Sequence, residues 1–72
     1  IVQIVRLKVE QQGDVATARQ MFDMVGGKTL PFNQQAKGTV GALVPTERVE
    51  ELRRNVDCIN EQAGQSVLEF TS

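Results

Sequence analysis

Apolar and charged residues alternate near the start of the chain, with Val5, Leu7 and Val9 on one side and Arg6, Lys8 and Glu10 on the other. A period of two sends successive side chains to opposite faces of an extended backbone. Ile1 to Glu10, rich in β-branched residues, therefore reads as a half-buried strand that ends at Gln11-Gln12-Gly13. The period then changes. Asp14 is suited to cap a helix, because its carboxylate can accept a bond from a free backbone N–H. After it, Val15, Ala18, Met21, Phe22 and Val25 share one side of a helical wheel, and Gly26-Gly27 supplies a left-handed stop. Lys28 to Phe32 reads as a short strand with Leu30 and Phe32 on the core face, and Pro31, lacking an N–H for a ladder, places it at an edge. Asn33 to Gly38 reads as a hairpin loop and Thr39 to Val44 as a third strand, closed by Pro45-Thr46. Thr46 is the expected cap of a second helix whose positive end attracts Glu47, Glu50 and Glu51. Val49, Leu52, Val56, Ile59 and Ala63 recur at three- and four-residue steps until Gly64, and Ser66 to Thr71 forms a last strand with Leu68 and Phe70 inward.

The order β-α-β-β-α-β, with one apolar stripe on each helix, predicts an α+β domain over residues 1–72. Both helices should cover one face of a four-stranded antiparallel sheet, and right-handed crossovers put the first and third strands in its centre. This is the ferredoxin-like arrangement. It leaves the other sheet face open, where Val2 and Ile4 should stand beside Arg6 and Lys8, with one of Leu43 and Val44 and with Val67. An apolar patch on an uncovered face marks a contact surface, so Val2, Ile4 and Val67 are the candidate interaction residues. Cys58 lies about 140° from the centre of the second helix's apolar stripe, at roughly 100° per residue, which makes it a candidate exposed thiol.

Composition narrows the chemistry. Hydrophobic residues make up 40% and charged residues 24% of the 72, too apolar a balance for disorder. No apolar run is long enough to span a membrane. Eight basic and nine acidic residues give a net charge of −1, which offers no electrostatic case for nucleic acid or an anionic membrane surface. The two central strands carry no aromatic residue on which RNA bases could stack. With no histidine and no tyrosine, the most used general base is missing, and Cys58 has no histidine to activate it. A single cysteine also excludes an internal disulfide and a Cys-x-x-Cys metal site, so no metal or cofactor is expected and no enzyme. Gly13-Asp14-Val15 opens a helix whose free N–H groups could hold a small anion, although Asp14 would itself fill that place. The chain starts at Ile1, already in strand pattern, and reads as a mature product or a piece excised from a longer protein.

The run from Gly38 to Leu52, in which a strand ends on Val44-Pro45 and leads into the acidic helix start at Glu47, resembles a pattern in bacterial extracytoplasmic domains. The Gly26-Gly27 helix end belongs to the same pattern. Such domains occur in membrane-anchored anti-sigma factors and related lipoproteins. The resemblance implies a ferredoxin-like, non-catalytic sensory or protein-interaction module of a larger protein, placed outside the cytoplasm. Its partner would be another protein, or a second copy meeting it through the open sheet face, with no nucleic acid and no membrane contact by the domain itself. The spacing of Gly38, Leu43, Pro45, Val49 and Leu52 is also similar to subtilase propeptides, which act as chaperones and inhibitors, but Phe70-Thr71-Ser72 is unlike the tail those propeptides insert into the protease cleft. The Gly13-Asp14-Val15 helix start is similar to amino-acid-binding regulatory domains, which would place a small metabolite there.

Overall fold

Alternation along the first strand sets the layer order. In this computed structural model, which describes residues 1–11, 13–31 and 38–71, β1 (Val2–Val9) buries Val5, Leu7 and Val9 and exposes Val2, Ile4, Arg6 and Lys8. The chain continues through α1 (Asp14–Met24), β2 (Lys28–Thr29), β3 (Thr39–Pro45), a single 3₁₀ turn (Thr46–Arg48), α2 (Val49–Ala63) and β4 (Leu68–Thr71). The sheet order is β2-β3-β1-β4 and every pairing is antiparallel. The two longest strands thus occupy the centre, and β2 with its following Pro31 lies at an edge. Ala18, Met21 and Phe22 of α1 and Leu52 and Val56 of α2 join Val5, Leu7, Val9, Val40, Ala42, Val44 and Leu68 in one core. All the strand residues in that list share one face, so both helices cover that side of the sheet. The fold is the ferredoxin-like α+β arrangement. Full burial of each large side chain, such as Leu7, Phe22 or Leu52, contributes about 1.5–3 kcal/mol.

The helix starts differ from expectation. Asp14 is the first residue of α1 and makes no capping bond; its own N–H instead donates to Gln11 O at 2.9 Å. Thr46 opens the 3₁₀ turn, and α2 begins three residues later at Val49, again without a side-chain cap. Arg48 provides the local order. Its guanidinium donates to Met24 O at 3.1 Å and to the Glu51 carboxylate at 2.9 and 3.3 Å, joining the end of α1 to the start of α2. The helix ends do follow the glycines. Gly26 (φ 72°) and Gly64 (φ 71°) take the left-handed conformation that residues with a Cβ avoid.

β2 is shorter than Lys28–Phe32. It ends at Thr29, although the Leu30 N–H still donates to Gly41 O at 2.9 Å before Pro31 interrupts the ladder. Leu30, expected in the core, lies on the opposite side of the sheet over Gly41. Phe32 and residues 33–37 of the expected hairpin loop lie outside the described residues. The last strand begins at Leu68, two residues after the expected Ser66. Asn60 causes this shift: its Oδ1 accepts the N–H groups of Val67 (2.9 Å) and Leu68 (3.0 Å), and its Nδ2 donates to Leu68 O (2.8 Å). Val67 consequently precedes the strand and escapes its alternation. It is 8% exposed and belongs to the core, which corrects its expected place on the open face.

Candidate functional site

Directly paired residues in an antiparallel sheet project to the same side, so the register reads out the uncovered face row by row. Val2 stands opposite Pro45; Lys28, Leu43 and Ile4 form the next row; Arg6 lies between Gly41 and Thr71; Lys8 lies between Thr39 and Glu69. Gly41 has no side chain to fill its row. A Cβ placed there would lie 3.6 Å from both Arg6 Cγ and Leu30 Cδ1, so these two side chains close over the glycine from either side. The face therefore is apolar at the Val2–Pro45 end, carries Ile4 and Leu43 beside Lys28 and then Leu30 beside Arg6, and is mixed at the Lys8 end.

Val2 and Ile4 are 55% and 50% exposed: no helix covers this face, and among the described residues β4 pairs with β1 only from Val9 to Arg6. Leu43 is half-buried between Ile4 and Lys28. The sequence left Leu43 and Val44 as alternatives for this face; pairing with Ile4 assigns Leu43 to it, while Val44 packs in the core. Lys28, Leu30 and Pro45 joined the face only through the register, which no local pattern announces.

Charge is distributed unequally between the layers. The helical segments carry seven acidic residues against four basic ones (Asp14, Asp23, Glu47, Glu50, Glu51, Asp57 and Glu61 against Arg19, Arg48, Arg53 and Arg54). The sheet face instead presents Arg6, Lys8 and Lys28 against Glu69. Lys8 also lies 3.8 Å from Glu10, whereas Arg6 and Lys28 enter no ion pair among the described residues.

Other candidate groups lie apart from this face. Cys58 is exposed on α2, where Gln62 Nε2 donates to its Sγ at 3.7 Å. Glu47, Glu50 and Glu51 do cluster at a helix start, as the sequence suggested. The hydrogen bond from Arg48 holds the Glu51 carboxyl below the usual carboxylate range; desolvation opposes it, and the positive charges of Arg48 and Arg54 add to the lowering. Arg53 lies over the Phe70 ring, 4.7 Å from its centroid, and closes the core at the β4 edge. Among the described residues no group of three or more His, Cys, Asp or Glu side chains could hold a metal ion, and the core contains no polar or charged side chain. No helix among them is long and apolar enough to cross a membrane. No family model matches this chain, and neither a curated protein nor a solved structure shows significant similarity to it.

Proposed function

We propose that the chain is a non-catalytic sensory or protein-interaction module whose contact surface is the uncovered sheet face. The observation that carries this reading is the position of Val2 and Ile4, half exposed beside Leu43 on a face that neither helix covers. Removing that apolar area from water contributes about 25 cal/mol per Å², before the costs of association. The perturbed carboxylate, Glu51, is accounted for by Arg48 and by the joint between the helices, so it does not call for a catalytic role. The sensory part of the reading comes from the resemblance to extracytoplasmic anti-sigma domains.

The test pairs two measurements on the chain and on Ile4→Glu. Thermal melting should be nearly unchanged, because Ile4 is outside the core. Association, followed by analytical ultracentrifugation alone and with cell extract as prey, should be lost in the variant. A chain that stays monomeric at high micromolar concentration and captures nothing, with Ile4 intact, would refute the reading.

A further inference from the structure

The chemistry of the partner follows from the charges around the apolar patch, an inference that rests on the contact-face reading above. Lys28 and Ile4 flank Leu43 in one row, and Arg6 spans Gly41 toward Leu30 in the next. No carboxylate occupies these rows; Glu69 and Glu10 lie at the Lys8 end of the face. A partner group that covered Ile4 and Leu43 would thus approach two cations that are not neutralised among the described residues. We propose that this face binds an amphipathic segment whose apolar stripe is bordered by carboxylates. A second copy meeting this one face to face would instead bring its own Arg6 and Lys28 toward the same cations, and like charges at a contact select against such a partner.

Arg6 and Lys28 can serve this purpose without paying for full burial. Both have long apolar stems, and the Arg6 stem already packs over Gly41, so the stems extend the apolar surface while the charged heads remain hydrated at its rim. Rim charges of this kind choose between partners and accelerate encounter more than they add affinity. The face is also long enough. A helix of about 16 residues is about 24 Å long, and the eight residues of β1 span about 26 Å at about 3.3 Å each.

The probe is a synthetic amphipathic peptide of about that length with leucines on one stripe and glutamates on either side; its counterpart carries lysines in place of the glutamates. Binding is followed by amide chemical shifts of the labelled chain. The glutamate peptide should shift Val2, Ile4, Arg6 and Leu43 and bind at least about ten-fold tighter than the lysine peptide, equivalent to about 1.4 kcal/mol. Raising salt from about 0.01 M to about 1 M, which shortens the Debye length from about 30 Å to about 3 Å, should remove most of that preference. The double variant Arg6→Glu, Lys28→Glu should prefer the lysine peptide, a reversal that a purely structural role would not produce. Equal binding of the two peptides, or a preference that survives the charge swap, overturns the inference. So do concentration-dependent shifts of the same amides without peptide, which identify a second copy as occupant. If the peptides fail while Ile4→Glu still abolishes an association, the charge inference falls and the contact face stands.

Discussion

Replacing Asn60 with alanine removes three hydrogen bonds that join the end of α2 to the start of β4. Each is worth about 0.5–1.5 kcal/mol net, and a buried backbone group left without a partner costs about 1–3 kcal/mol. Leu68 is such a case, since its residue is wholly buried and Asn60 serves both its N–H and its C=O. The loss should total about 2–3 kcal/mol. Against a stability of about 4–11 kcal/mol for a chain of this size, that is a large fraction. At about 4–8 °C per kcal/mol the melting temperature should fall by about 8–24 °C. Urea unfolding followed by far-UV circular dichroism measures the change directly, with an unaltered slope showing that the denatured state is unaffected. Amide exchange should accelerate at Val67 and Leu68 more than at Val40 in the sheet centre. A cost below about 0.5 kcal/mol, within the range of ordinary surface changes, would refute the claim that Asn60 sets where the last strand begins.

Val67→Ala should cost about 1.5–3 kcal/mol in the same assay, from lost burial and the cavity left behind, whereas Val2→Ala should stay within about 0.5 kcal/mol; equal effects would contradict the assignment of Val67 to the core. A Cβ at Gly64 would have no heavy atom within 4 Å, so Gly64→Ala tests backbone conformation alone. It should cost about 1–2 kcal/mol for the left-handed φ, with Gly64→Asn costing less. The lowered folded-state pKa of Glu51 means that its ionised form is favoured by folding. Its contribution is present above the unfolded carboxylate range and is lost as pH falls through the lowered value. The stability gap between the chain and Glu51→Gln should therefore be constant near neutrality and close in acid; a gap that widens in acid would contradict the role of Arg48.

Local patterning determined much of this protein. Alternation from Val5 to Val9 placed β1, and three- and four-residue spacings identified Ala18, Met21, Phe22, Leu52 and Val56 as core. These signals are legible because each strand or helix must bury one side, and the period of its apolar residues states which. The exposed positions of Val2 and Ile4 follow from the same parity. The tertiary structure decided what depends on distant partners. Leu43 and Lys28 joined Ile4 because β3 pairs with both β1 and β2, and Leu30 faces outward because the same register sets it beside Gly41, one residue beyond the Thr29–Ala42 pair. Val67 went inward because Asn60, seven residues earlier on α2, holds its N–H and delays β4. Arg48, unremarkable in the sequence, became the joint between the helices by reaching the Met24 carbonyl across 24 positions. Periodicity reports which side of an element is buried; where that element starts, and what stands beside it, is settled by hydrogen bonds that close only when distant segments meet.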